Sequence, residues 1–325
     1  MRILQSIFLS GLLLLTSAFS GTAQPYDEEY TPTVDTPSFS KREGPVVLID
    51  EAHNNYHTCE GRYRVLCELL ENDGFSVKSN KESLSATTLE DADVLIIANA
   101  LNAQNVTDDE NWKNPILPAF DKTEIDAVEE WVNDGGSLLL IADHMPFPGA
   151  IADMASRFGV IWQSAFAFAA NFNFAQPKGD PNMINFRLYA GPSGGIAHPH
   201  PIFKGREKRE AVEYLTSFTG SVFRLGPNSG VQPLLQLDEG TMLLYPMASQ
   251  EQNMHTPSAY GVGLLQGGVL ERGKGRVAFM GEASMFAARI ANFISPGFKM
   301  GMNNPDAPYN KQFTLNLLHW LSGSL

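Results

Sequence analysis

The chain has 325 residues, of which 43% are hydrophobic and 18% charged, and it contains 28 Gly, 20 Pro and 2 Cys. This composition excludes collagen-like, disulfide-rich and wholly disordered proteins. Lys and Arg number 23 against 36 Asp and Glu, so the net charge is −13 and the broad basic surface typical of nucleic-acid-binding proteins is excluded. We therefore expect a globular protein that binds neither nucleic acid nor an anionic membrane.

The first 23 residues have the pattern of a secretory signal peptide. Arg2 precedes an apolar run from Ile7 to Leu15, and small residues follow up to Ala23. The run is too short to span a bilayer, so we expect cleavage after Ala23 and export to the periplasm or the exterior, although an uncleaved N-terminal anchor is an alternative. Residues 24–43 are rich in Pro, Thr, Ser and acids without apolar periodicity, which predicts a flexible leader.

Both cysteines lie within residues 58–72, where apolar side chains recur at helical spacing. On a continuous helix the Cα atoms of Cys59 and Cys67 are about 12 Å apart, beyond the roughly 7 Å that a disulfide tolerates. We therefore expect two free thiols, with Cys67 in the core. Cys59 either packs against its neighbours or acts as a nucleophile with a lowered pKa in the first helical turn.

From residue 44 onward, short apolar runs alternate with helical patterns. Strands are predicted at 46–49, 75–78, 94–98, 137–142 and 160–162, and helices at 58–72, 121–134 and 151–158. This alternation predicts a single α/β domain over residues 44–325, built on a doubly wound, mostly parallel, flavodoxin-like sheet with helices on both faces.

The second half departs from this repeat. Residues 163–201, rich in Ala, Phe, Asn, Gly and Pro, predict a long irregular excursion over the sheet. Four phenylalanines in this stretch alternate with other residues: Phe166, Phe168, Phe172 and Phe174. Such alternation is typical of a core strand, or of a surface that stacks on a sugar or an aromatic ligand. A strand pair at 262–270 and 276–280 and a closing helix complete the chain.

Polar side chains follow the predicted parallel strands. Because the carboxyl ends of parallel strands meet at one edge of a sheet, these residues form the candidate site. The candidates are Asp50, Glu51, His53 and His57 after the first strand, Asn99 and Asn102 after the third, Asp143 and His144 after the fourth, and Glu282 and Ser284 after the last.

Two kinds of chemistry remain open for this set. His53 and His57, four positions apart, could bind a divalent metal together with Asp50, or the set could be a hydrogen-bonded polar site without metal. In an enzymatic site His144 would be the general base, oriented by Asp143 or Glu282. Ser284 as a nucleophile activated by His144 is a further alternative.

Several short motifs resemble the class I glutamine amidotransferase-like superfamily. They are Val-Leu-Ile-Asp at 47–50, Gly-Arg-Tyr at 61–63, Ala-Asp-Val-Leu-Ile-Ile at 92–97, Trp-Val-Asn-Asp-Gly-Gly-Ser at 131–137 and Gly-Arg-Val-Ala-Phe-Met-Gly at 275–281. The layout of residues 45–323 is similar to branches of unknown function and to the trehalose-utilisation-type and transport-auxiliary branches. The resemblance implies the α/β fold more strongly than any activity.

The resemblance also implies that glutaminase activity is absent. Amidotransferase members use a cysteine on a sharp turn after a strand, and Asp143 and His144 stand at the matching turn here. Two functions follow as hypotheses. The chain is either an exported hydrolase acting on a carbohydrate or other small polar substrate, or a non-catalytic ligand-binding or scaffolding domain.

Overall fold

A computed structural model describes residues 26–169, 198–292, 294 and 296–325, and the backbone of residues 186–189. The predicted signal peptide, residues 1–23, lies outside the described residues. Within the described ranges, none of the helices combines the length and apolar character needed to cross a bilayer.

The described residues form strands and helices in the following order along the chain. The strands are β1 (Val46–Asp50), β2 (Ser76–Asn80), β3 (Val94–Ala98), β4 (Ser137–Ile141), β5 (Val160–Gln163), β6 (Phe166–Ala169), β7 (Phe186–Tyr189), β8 (Tyr214–Ser217), β9 (Val222–Leu225), β10 (Gln232–Gln236), β11 (Thr241–Leu244), β12 (Ser258–Tyr260), β13 (Leu265–Arg272), β14 (Gly275–Met280), β15 (Ala288–Ile290) and β16 (Lys299–Gly301). The helices are α1 (Arg64–Asn72), α2 (Ala86–Leu89), α3 (Lys122–Asp134), α4 (Phe147–Ala150), α5 (Ala152–Arg157), α6 (Pro201–Lys204) and α7 (Asn310–Leu321).

The central sheet has the strand order β2-β1-β3-β4-β14-β13-β9-β5, with β10 paired to β13. Strands β2, β1, β3, β4 and β14 are parallel, and β13, β9 and β5 continue the sheet in antiparallel pairs. The parallel part places β14 in the fifth position of a 2-1-3-4-5 flavodoxin-like order. The predicted doubly wound, mostly parallel α/β sheet is therefore confirmed.

Amphipathic helices cover both faces of the sheet with their apolar sides. One core contains side chains of α1 and α7 packed on alternate residues of β1, β3, β4 and β14. The other contains side chains of α3 and α5 packed on the opposite faces of the same strands. Strands buried on both faces need the continuous apolar runs that the sequence shows. The predicted start of α3 is also correct, because Asp121 and Glu124 form a capping box there.

The expectation of two free thiols is wrong. Helix α1 begins at Arg64, so Cys59 lies in the preceding turn and not on the helix that the spacing predicts. The chain folds back there, and the Cα atoms of Cys59 and Cys67 are 5.7 Å apart and joined by a disulfide. Neither cysteine is a free thiol, which removes Cys59 as a nucleophile.

Residues 26–43 pack along the domain, in contrast to the flexible leader that their composition predicts. Tyr26 forms a β-bridge with Arg289, and the Phe39 ring lies 5.0 Å from that of Phe75. Ser38 contacts both Asp73 and the buried His319, whose Nε2 is 2.6 Å from an Asp73 oxygen. Serine and aspartate share a single ring nitrogen of His319, so this group ties the segment to α7 and does not form a catalytic relay.

The predicted excursion at 163–201 is not irregular throughout. It contains β6, which pairs with β11, and β7, which pairs with β8. Phe166 and Phe168 lie in β6 with their rings stacked 6.0 Å apart, as the core-strand alternative predicts. Phe172 and Phe174 lie outside the described residues.

Candidate functional site

The carboxyl ends of β3, β4 and β14 bring three predicted site residues together. Ala98 and Met280 both pair with Ile141 of β4, so Asn99, Asp143 and Glu282 follow three neighbouring strands at nearly the same level. All three are buried. Because the carboxyl ends of parallel strands lie at the same edge of a sheet, the polar residues that follow these strands lie together there.

Asn99 links the first and fourth strand ends. Its amide nitrogen donates to His57 Nδ1 at 3.2 Å, and its amide oxygen accepts from the backbone N–H of Asp143 at 2.8 Å. Asn99 has φ of +50°, a left-handed conformation that costs energy in a non-glycine residue and is characteristic of functional loops. The asparagine therefore fixes both neighbours in one arrangement.

His57 is a neutral imidazole in this arrangement. Burial lowers its pKa well below the ordinary value of 6.5, and the charges of Arg62, Arg289 and His144 lower it further. Because Nδ1 accepts from Asn99, the proton of the neutral ring is on Nε2. Nε2 is buried and has no hydrogen-bond partner among the described residues. A buried N–H donor of this kind is available to a ligand.

Glu282 has the most strongly perturbed carboxyl group of the site. Burial raises its pKa well above 4.5, and the neighbouring charge of Asp143 raises it further. The backbone N–H groups of Ser284 and Met285 donate to its oxygens at 2.6 and 2.8 Å and act in the opposite direction. Desolvation and a like charge favour the protonated form, so Glu282 is a group that can hold and donate a proton.

His144 is positioned differently from the predicted relay. Its Nδ1 donates to the carbonyl of Met145 at 2.7 Å, and its ring stacks on Phe166 at 4.4 Å. Asp143 accepts from the backbone N–H of His144 at 2.8 Å and does not hydrogen-bond its ring. His144 is therefore oriented by the Met145 carbonyl and not by Asp143 or Glu282. Because Nδ1 carries the proton, the lone pair of the ring is on Nε2. No hydrogen bond joins Ser284 to His144, so nothing in the described residues supports the serine nucleophile.

Two arginines belong to the site although the sequence pattern did not indicate them. The Arg62 guanidinium lies 3.5 Å from the centre of the Tyr56 ring, and Nη1 donates to the Tyr56 carbonyl at 3.2 Å. Arg289, in β15, is buried and interacts electrostatically with Asp143 and Glu282. Burial lowers the pKa of Arg62 to about 10 and that of Arg289 to about 9.

The structure does not support the predicted metal site. His53 lies between two carboxylates, with Nδ1 2.9 Å from Asp50 and Nε2 2.8 Å from Glu124, so both ring nitrogens are used inside the fold. His57 turns instead toward Asn99. In the part of the chain that the structure describes, no group of three or more His, Cys, Asp or Glu side chains could hold a metal ion. The residues present do not fit the divalent metal that their spacing suggests.

Two further predicted ligand-binding residues serve the fold. Glu51 accepts from the backbone N–H of Cys59 at 2.8 Å and from the Ser79 hydroxyl at 2.9 Å. Asn102 donates to the carbonyl of Pro118 at 2.7 Å and accepts from the backbone N–H of Gln104 at 2.9 Å. Both side chains secure loops and are absent from the interactions around Glu282. The site is therefore smaller than the predicted set and includes Asn99, Asp143, His144, Glu282, His57, Arg62 and Arg289.

Comparisons with known proteins show the fold and no more. No family model and no curated protein matches the sequence. Among solved structures, the mmIFT52 N-terminal domain is similar with a TM-score of 0.56 at 12% identity, over 85% of this chain and 97% of that one.

Two further solved structures are similar at lower scores. A ThuA-like protein from Bacteroides uniformis has a TM-score of 0.45 at 12% identity, over 91% of this chain and 95% of its own. A GMP synthase component from Thermoplasma acidophilum has a TM-score of 0.41 at 13% identity, over 87% of this chain and 96% of its own. Similarity at such identities concerns the α/β architecture alone.

Proposed function

We propose that the chain is an exported enzyme that hydrolyses a small polar substrate, such as a carbohydrate, at the strand-end site around Glu282. The observation that carries the proposal is the buried pair of carboxyl groups at the ends of β4 and β14. The negative charge of Asp143 helps to keep Glu282 protonated. General acid catalysis at neutral pH requires a group that is still protonated there, and the charge of a neighbouring carboxylate is one way to keep a carboxyl group protonated.

The proposed roles follow from the hydrogen bonds of each group. Glu282 donates its proton to the leaving group, and His144 Nε2, whose lone pair is free because Nδ1 donates to a carbonyl, accepts a proton from water. His57 Nε2–H donates to a substrate oxygen. Asp143 acts on Glu282 through its charge. Glutamine is not the proposed substrate, because both cysteines are in a disulfide and no thioester can form.

Export is part of the proposal. The N-terminal 23 residues have the pattern of a signal peptide, and the Cys59–Cys67 disulfide adds support because such bonds persist in oxidising compartments. A non-catalytic ligand-binding or scaffolding domain is the second candidate. It is favoured by the Nε2–H group of His57, which has no partner among the described residues and could bind a ligand that is not hydrolysed.

Hydrolysis assays on the mature protein test the proposal. The panel contains chromogenic glycosides and esters of small polar acids, and each active substrate is retested with Glu282→Gln and Asp143→Asn. Loss of a general acid lowers kcat by about 10²–10⁴-fold. Glu239→Gln, a substitution of an exposed glutamate, is the matched control and keeps full activity.

The pH profile provides an independent check. The rate falls as pH rises through the raised pKa of Glu282, because the acid form is lost, and that limb moves to lower pH in Asp143→Asn. Unchanged turnover in Glu282→Gln contradicts the proposed catalytic role. A wild-type protein that binds members of the panel without hydrolysing any supports the binding alternative.

A further inference from the structure

Arg289 is a buried cation without a direct counter-ion among the described residues. It is 5% exposed, and its Nε has no hydrogen-bond partner in the part of the chain that the structure describes. No carboxylate oxygen of the described residues lies within 4.0 Å of its guanidinium nitrogens. A buried charge without a partner is costly, so a protein retains one where function requires it.

Arg62 reinforces this positive region. One end of its guanidinium is held by the Tyr56 carbonyl, and Nη2 is 3.7 Å from a Glu110 oxygen. Its Nε is buried and has no partner among the described residues. The two positive charges repel one another. The charge of Arg62 therefore adds to burial in lowering the pKa of Arg289. An anion bound at either guanidinium reduces this repulsion between the two positive charges.

We infer that Arg289 and Arg62 bind a carboxylate group of the substrate, so that the enzyme acts on acidic small molecules such as sugar acids. The inference rests on the proposed function, since it names the substrate class of the same site. The planar fork of a guanidinium matches a carboxylate with two parallel hydrogen bonds. Asp143 and Glu110 also face Arg289, and their negative charges disfavour a doubly charged phosphate.

The test uses acetate as the smallest carboxylate probe, with chloride and inorganic phosphate at matched ionic strength. Acetate at ten times its dissociation constant raises Tm by about 2–4 °C in the wild-type protein. The shift disappears in Arg289→Gln and falls in Arg62→Gln. Arg224→Gln, which replaces an exposed arginine of β9, is the matched control and keeps the shift. Arg289→Lys retains the charge, loses the fork and weakens acetate binding at least about tenfold.

Other outcomes overturn the inference. They are an equal acetate shift in Arg289→Gln and wild type, a larger shift with phosphate than with acetate, or no acetate-specific shift in wild type. Arg62→Gln changes a less buried residue and keeps the test valid if Arg289→Gln fails to fold.

Hydrolysis and acetate binding, both measured on the wild-type protein, separate this inference from the proposed function. Acetate binding by a wild-type protein that hydrolyses no member of the panel refutes the hydrolase and leaves the carboxylate site standing. Hydrolysis of neutral substrates without an acetate shift refutes the carboxylate site alone.

Discussion

Replacing His53 by alanine is expected to destabilise the folded protein by about 3 kcal/mol at pH 5.5, because a buried ion pair loses its cation. His53 connects the loop after β1 to the start of α3 through Asp50 at 2.9 Å and Glu124 at 2.8 Å. Removal of one member of a buried pair costs about 3–5 kcal/mol. The lower end applies here because Asp50 keeps a hydrogen bond from Asn55, and Glu124 keeps one from the backbone N–H of Leu84.

The pH dependence of this effect has a defined sign. Burial alone would lower the pKa of His53, but the hydrogen bonds and charges of Asp50 and Glu124 raise it above 6.5. The folded protein therefore binds this proton more tightly than the unfolded chain does. The stabilisation is fully present below pH 6.5 and is lost as pH rises through the higher pKa of the folded state. One proton changes stability by at most about 1.4 kcal/mol per pH unit.

Urea unfolding of wild type and His53→Ala at pH 5.5, 7.0 and 8.5 measures this difference. The difference in free energy of unfolding is largest at pH 5.5 and smallest at pH 8.5. His255→Ala, which replaces an exposed histidine, is the control and changes stability little at any pH. A difference below about 1 kcal/mol at pH 5.5, or one independent of pH, refutes this account of His53.

Three further predictions concern the disulfide, the N-terminal segment and glutamine. The wild-type chain is two hydrogens lighter than its reduced form, and Cys67→Ser loses about 2–3 kcal/mol of stability, as measured by denaturation without reductant. A free-thiol assay that detects both cysteines in wild type would contradict this. His319→Ala loses the contacts to Ser38 and Asp73, so limited proteolysis cuts residues 26–43 faster than in wild type, and equal cleavage rates would count against the anchoring role. Ammonia release from glutamine is absent, and release by the wild-type protein that persists when both cysteines are replaced by serine would require a nucleophile other than cysteine.

The fold was predictable because its signals are local. Continuous apolar runs predicted β3 and β4, and the helix predicted at 121–134 starts at Asp121, the N-cap of α3. The disulfide was not predictable in the same way. The apolar stripe at helical spacing begins only at Tyr63, and the chain before it forms a turn. Extending the predicted helix back to residue 58 was therefore an error of the helix boundary, and it reverses the conclusion about Cys59 and Cys67.

The site was predictable in part. The rule that parallel strands end at one edge placed Asn99, Asp143 and Glu282 together, because it depends on topology. It failed for His53, because the partner Glu124 comes from a helix start 71 residues away that no local pattern connects to it. Arg289 was missed although a lone arginine in the apolar stretch Ala287 to Ile290 is a usable signal.

The protonation state of Glu282 tests the central claim most directly. Carbon-13 NMR of glutamate-labelled protein, with Glu282→Gln to assign the signal, follows the carboxyl group through a pH titration. The account predicts a pKa well above 4.5 in wild type and a lower pKa in Asp143→Asn, because the like charge is removed. A carboxyl that titrates near 4.5 in both proteins would contradict the acid role of Glu282 and the function built on it.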